Sequence, residues 1–212
     1  MIPYKDMKEK ISSKYNKLIR TSEWPISHVL NDSIDPYYSS IEYEIVESLI
    51  PHIENGSKIA ILGSWFGITF LETFSLINHK IDTIKLFDYD PTVEIIGKKI
   101  SNMVDIDVKY LRKNVIFDDI TKDIDGFNIF IIPYIHMLLP FDDIIPNAPK
   151  NNLISLSGSN DAFLMRYGNP IFNVDDLKQQ TTFSDELYIS EKEMKFLDRR
   201  LSFKKSILTA RI

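Results

Sequence analysis

Five short apolar runs, each closed by a turn and most followed by a helical pattern, constrain this chain more than any other feature. Lys58 to Leu62 (Lys-Ile-Ala-Ile-Leu) is nearly continuously apolar, as a parallel strand buried on both faces must be. Gly63-Ser64-Trp65-Phe66-Gly67 breaks the run. Ile68 to Asn78 then returns to helical spacing, with Phe70, Thr73, Phe74 and Ile77 on one side. Thr83 to Phe87 reads as the second strand and ends in Asp88-Tyr89-Asp90-Pro91, where Pro91 suits the start of a helix carrying Val93, Ile96 and Ile100. Val108 to Leu111, Asn128 to Ile132 and Asn152 to Ser157 supply three more strands. After a turn-like stretch at 159–170 and a short helix from Val174 to Gln180, Glu186 to Ser190 and Ser202 to Thr209 close the sheet. The alternation predicts an α/β protein with a doubly wound, mostly parallel, seven-stranded sheet.

The first 56 residues read differently. Met7, Ile11, Tyr15 and Ile19 line one face of a helix over Lys5 to Arg20, Ser22 to Tyr38 reads as a loop, and a second helix runs from Tyr37 to Ile53 before Asn55-Gly56. The expected organisation is an N-terminal helical extension or lid (1–56) followed by the sheet domain (57–212). In 212 residues of which 44% are hydrophobic there is material for one substantial core. A net charge of -5 with both signs interspersed gives no footprint for duplex nucleic acid and favours a small or neutral partner. The absence of cysteine removes disulfides, thiolate metal sites and a cysteine nucleophile, and fits a reducing, cytoplasmic setting. No stretch approaches the roughly 18 apolar residues of a membrane span, so no membrane partner is expected. His28, His52, His79 and His136 lack the close pairing of a common zinc site, so no metal is predicted. Nothing in the sequence sets the oligomeric state.

The chemistry gathers around the first strand. Glycines at 63 and 67 let the backbone turn off the strand and approach a ligand closely, while the helix that follows presents free backbone donors. Asp88, at the tip of the second strand, can accept hydrogen bonds from both hydroxyls of a ribose. In open parallel sheets this crevice lies beyond the carboxyl ends of the strands. Gly67-Ile68-Thr69-Phe70 lacks the further glycine of a pyrophosphate turn, which ranks a nicotinamide dinucleotide lower. Plainer roles stay open: the glycines as strand and helix boundaries, Asp90 as the cap of the helix that Pro91 begins, and Asp118 and Asp119 as solvated loop acids.

The glycine loop and acidic strand tip resemble those of class I, Rossmann-like S-adenosylmethionine-dependent methyltransferases. Together with Ile135-His136-Met137 and Ser157-Gly158-Ser159-Asn160-Asp161, they are similar to small phage-type methyltransferase-like proteins with a Gly-Gly-Trp-Tyr-Gly loop. The resemblance runs from Lys58 to the C-terminus. It implies S-adenosylmethionine as cofactor, with Gly63, Ser64, Trp65 and Gly67 along its methionine and ribose side, Asp88 on the ribose hydroxyls, and Asp118 or Asp119 at the adenine amino group. His136 and Tyr134 after the fourth strand and Asp161 after the fifth become the candidate catalytic residues, acting on an unidentified acceptor. Ile61 and Trp65 stand where the family's common pattern has an acid and a second glycine. The alternatives are therefore a catalytically idle binding or assembly module and a non-methylating enzyme that uses the same cofactor.

Overall fold

The structure, a computed structural model, describes residues 2–24, 26–146, 148–160, 171–195 and 202–212, with the backbone alone at 136, 195, 202 and 203. The first strand, β1 (Ser57–Leu62), explains the architecture around it. Its side chains alternate between two cores: Ile59 and Ile61 join one apolar cluster, Ala60 and Leu62 the other, and all four are fully buried. A strand apolar on both faces needs helices on both sides.

Parallel pairing continues outward from β1 in two directions. β2 (Ile81–Asp88) and β3 (Val108–Arg112) lie on one side, β4 (Ile129–Ile132) and β5 (Leu153–Ser159) on the other. β6 (Asp185–Lys195) and β7 (Ser202–Arg211) form an antiparallel pair, with β7 next to β5, so the sheet order is β3-β2-β1-β4-β5-β7-β6. The direction of winding reverses between β1 and β4. That switch point opens a crevice at the carboxyl ends of the strands.

Several helices pack with the first cluster. α1 (Tyr4–Thr21) buries Met7, Ile11 and Tyr15 of the stripe expected from the sequence, with Ile19 partly buried at its end. α3 (Pro36–Leu49) starts where Asp35 accepts a hydrogen bond from the Tyr37 N–H and Pro36 sets the first turn. α4 (Ile68–Phe74), buried at every position, and α5 (Thr92–Ser101) follow β1 and β2. α6 (Phe141–Ile144) and α7 (Val174–Lys178) add Phe141, Ile144 and Leu177 to the second cluster.

The segment expected as a loop before α3 contains a helix, α2 (Ile26–Ser33). Asn31, Asp32 and Ser33 have weak helix propensity, but Leu30 is fully buried and Ser33 Oγ donates to the Leu30 carbonyl, so packing outweighs propensity. The helix expected to reach Asn78 ends at Phe74 and continues as a 3-10 segment (Ser75–Lys80). Gly97 of α5 lies against the Tyr110 ring of β3, where a Cβ would meet ring carbon at 2.3 Å. That close approach lets the Tyr110 hydroxyl reach the Phe66 carbonyl at 2.7 Å and tie down the loop after β1.

Candidate active site

The loop after β1 bends through three left-handed residues: Gly63 (φ 68°), Trp65 (φ 51°) and Gly67 (φ 55°). Tryptophan pays a steric cost of order 1 kcal/mol in this conformation. The loop is pinned in compensation. The Gly63 and Ser64 N–H groups both donate to the Phe87 carbonyl, at 2.9 and 3.3 Å, and the Trp65 N–H donates to Asp88 Oδ2 at 2.8 Å. Asp88 Oδ1 accepts from the Asp90 N–H at 3.0 Å. Asp88 therefore joins the tips of β1 and β2, and burial raises its pKa against the opposing pull of these N–H groups.

A cavity of about 390 Å³ opens above this junction, within the range of about 300–1,000 Å³ usual for small-molecule sites. Gly63, Trp65 and Asp88 line one part of it, Val115 and Ile116 an apolar side, and Tyr134, Met137 and Leu138 the end of β4; Tyr38 enters from α3. The rings of Tyr38 and Trp65 meet edge to face at 6.1 Å, as do Tyr38 and Tyr134 at 5.8 Å, so three elements share one aromatic wall.

The sequence-predicted residues divide on position. Gly63, Trp65, Asp88 and Tyr134 come together at this cavity. Ser64 is fully buried beneath the loop, and Gly67 caps α4 with no room for a Cβ, which would lie 2.4 Å from Leu86 Cδ2. Asp118 and Asp119 are not among the cavity's lining residues. Asp118 Oδ2 accepts from the Asn114 N–H at 2.7 Å, and Asp119 Oδ1 accepts from the Thr121 N–H at 2.9 Å; the neighbouring Asn114, Val115 and Ile116 line the cavity instead. Asp90 caps α5 by accepting from the Thr92 N–H at 2.8 Å. Asp161 and the side chain of His136 lie outside the described residues.

Sequence reading passed over the polar cluster behind the aromatic wall. Glu42, one helical turn after Tyr38 and on the same face of α3, is 3% exposed, and its Oε1 accepts from the Tyr134 hydroxyl at 3.3 Å. Burial pushes its pKa up to about 8, with Tyr134, Lys205 and Thr69 pulling the other way. Neither Glu42 Oε2 nor Thr69 Oγ1 has a hydrogen-bond partner at ordinary geometry. Lys205 of β7 is also 3% exposed, with Nζ 5.0 Å from the centroid of the Tyr134 ring and 5.9 Å from that of Tyr37. Burial brings its pKa down to about 7, against the charges of Glu42 and Glu44. The available signal was a glutamate on the apolar side of α3, four residues after Tyr38; nothing in the local sequence ties it to a lysine in the last strand.

No protein-family model matches the sequence, and no curated protein matches it. Solved structures do resemble the fold. The N-methyltransferase NodS from Bradyrhizobium japonicum, in complex with S-adenosylhomocysteine, superposes with a TM-score of 0.61 at 12% identity, over 93% of this chain and 97% of that one. The precorrin-6y C5,15-methyltransferase from Geobacter metallireducens gives 0.53 at 10% identity, over 82% and 88% of the two chains. The plantazolicin methyltransferase BpumL, also in complex with S-adenosylhomocysteine, gives 0.52 at 9% identity, over 97% and 96%. At such identities the likeness is one of fold: this chain has the Rossmann-like fold found in methyltransferases.

Proposed function

We propose that this chain is a methyltransferase that takes its methyl group from S-adenosylmethionine. The observation that carries the reading is Asp88: a half-buried carboxylate at the tip of β2, oriented by two backbone N–H groups and lining a cavity at the switch point of the sheet. A carboxylate oxygen already holding one N–H keeps a lone pair for a ligand hydroxyl. The cavity suits a nucleoside, because Asp88 supplies acceptors for a ribose while Val115, Ile116, Met137 and Leu138 supply apolar walls for a base. Fold alone would not choose this ligand, since one scaffold hosts many chemistries.

When bound, the cofactor supplies a methyl group on a positively charged sulfur. The chain's own contribution is to hold and orient. Gly63 leaves the loop backbone open to the ligand, and Asp88 fixes the sugar. The aromatic wall of Tyr38, Trp65 and Tyr134 presents rings that favour a cation over a neutral group. Of the sequence-predicted catalytic residues, Tyr134 is the one whose described side chain borders this space, next to where an acceptor would lie. Positioning of donor and acceptor accounts for the rate enhancement. Asp118 acts on the site indirectly, through the Asn114 N–H it holds.

Titration calorimetry with S-adenosylmethionine, S-adenosylhomocysteine and NAD as control tests the reading. The expected result is binding of the first two, lost in Asp88→Ala and in Leu138→Trp, which fills the cavity. Failure of the folded wild type to bind either would overturn it.

A further inference from the structure

Three side chains from distant parts of the sequence meet at the cavity wall: Glu42 from α3 and Lys205 from β7, both buried, and Tyr134 after β4, half-buried. Burying a carboxyl and an ammonium costs several kcal/mol each unless they are well paired. Here the pairing is incomplete. Glu42 Oε2 is without a hydrogen bond, and among the described residues Lys205 Nζ lies over the rings of Tyr37 and Tyr134 rather than against a carboxylate oxygen. A cluster kept for stability alone would be better replaced by apolar side chains of the same size. It reaches the cavity through the hydroxyl of Tyr134, a residue that lines that space.

We propose that Glu42, acting through the Tyr134 hydroxyl, takes up the proton that the methyl acceptor gives away, so that the acceptor is a hydroxyl or an N–H amine. The proposal rests on the methyltransferase reading above. In the step it describes, the acceptor's proton moves to the Tyr134 oxygen while the hydroxyl's own proton moves to Glu42 Oε1. The acceptor's lone pair forms the new bond to the methyl carbon, and the carbon–sulfur bond breaks with its electron pair left on sulfur. A carboxylate, a sulfonium and a neutral acceptor become a carboxylic acid, a thioether and a methylated acceptor, so charge and protons balance. An acceptor without a proton to lose would have no use for Glu42.

Glu42 is thus a positioning residue and proton reservoir, and Tyr134 is the group at the substrate. The groups around it are Tyr134 after β4, Lys205 on β7, Thr69 on α4, Tyr4 on α1 and Tyr110 on β3, with the Glu44 charge also acting on Lys205 and the rings of Tyr37 and Tyr38 near Tyr134. Burial sets Glu42 to titrate near neutrality, at about 8. A positive charge arriving in the cavity favours its ionised form.

That coupling can be measured without knowing the acceptor. Calorimetric titrations at pH 7.5, in buffers of different ionisation heat, count the protons released as each ligand binds. S-adenosylmethionine, which carries the sulfonium charge, should release roughly half a proton more than the neutral S-adenosylhomocysteine. The preference for S-adenosylmethionine over S-adenosylhomocysteine should stay level between about pH 6 and 9 if Glu42 plays no part; with Glu42 coupled, it grows as pH rises through about 8. Glu42→Gln should still bind S-adenosylhomocysteine but lose the extra proton, and Tyr134→Phe should reduce it. Equal proton release by the two ligands in the wild type, or a difference that survives in Glu42→Gln, would overturn the proposal and leave the methyltransferase reading standing. Absence of binding by both ligands would overturn that reading and the proposal with it.

Discussion

Removing the Glu72 carboxylate should detach the N-terminal helix from the sheet. Glu72 sits on α4 with its side chain fully buried, and three groups from α1 converge on it: Lys10 Nζ at 3.0 Å, Lys14 Nζ, and the Tyr15 hydroxyl at 2.9 Å. Burial alone would raise its pKa, but the hydrogen bonds from Lys14, Lys10 and Tyr15 outweigh burial and hold it below the ordinary value of 4.5. Hydrogen bonds to a charged group contribute about 1.5–3 kcal/mol each, and partly exposed lysines give less because water screens them. Glu72→Ala should therefore cost about 3 kcal/mol, and Glu72→Gln, which keeps the shape and one acceptor, about half that. Urea denaturation measures the loss, and hydrogen exchange should show it concentrated in α1. The sign with pH follows from the depressed pKa: the contribution is complete above the unfolded value and disappears as pH falls through the lower folded value, so wild type and Glu72→Gln converge in acid. The consequence reaches the site, because the Tyr4 hydroxyl of α1 donates to the Pro36 carbonyl at 3.0 Å and meets Ser39 Oγ at 2.6 Å, at the start of the helix that carries Tyr38 and Glu42. A loss below about 1 kcal/mol for Glu72→Ala, or one spread evenly over the chain, would refute the reasoning.

Other perturbations address the cavity directly. Asp88→Asn should weaken S-adenosylhomocysteine binding by roughly 30- to 100-fold in calorimetry, as expected when a charged acceptor of two ligand hydroxyls is neutralised, while the protein stays folded. Gly67→Ala should lower stability by about 2 kcal/mol in denaturant titration, since the new Cβ combines a left-handed backbone with a 2.4 Å contact to Leu86 Cδ2. Of the two tryptophans, Trp24 is 79% exposed and Trp65 lines the cavity, so a fluorescence change on adding S-adenosylhomocysteine should survive Trp24→Phe and vanish in Trp65→Phe. The folded pKa of Lys205 lies below its ordinary 10.5, so its burden on stability is absent above that value and grows as pH falls toward about 7. Lys205→Met should thus gain stability over wild type between pH 10 and 7, by on the order of a few kcal/mol in thermal or urea melts.

What could be read from the sequence was local. The strand at 58–62, the glycine turn and the acid at 88 are contiguous signals, because a doubly buried strand must be apolar throughout and a tight turn needs small residues. The four-residue stripe of α1 was visible for the same reason. α2 was missed because its helicity comes from burying Leu30 rather than from propensity. Asp118 looked suited to meet a ligand, but an aspartate in a loop also serves by accepting from a nearby N–H, and at Asn114 that local bond is the one formed. Trp65 was legible as a departure from a glycine pattern; what the sequence could not convey is that it keeps the left-handed backbone that glycine would adopt. The Glu42–Tyr134–Lys205 cluster joins two positions 92 residues apart with a third in the last strand, beyond the reach of any motif.

The placement of β7 between β5 and β6 carries a consequence for how the protein comes into being. An interior strand of the sheet is synthesised after every other strand, so β5 must wait with one open edge until Ser202–Arg211 emerges. An open edge on a strand as completely buried in the finished sheet as Leu153–Ser159 is an invitation to pair with another chain. While the nascent protein is tethered, the half-sheet β3-β2-β1-β4-β5 can already assemble with its glycine loop and Asp88, but Lys205 is missing from behind Tyr134. The Asp88 side of the cavity therefore precedes the Lys205 side in order of birth, and a ligand bound to the first would shelter the unfinished sheet until Ser202–Arg211 arrives.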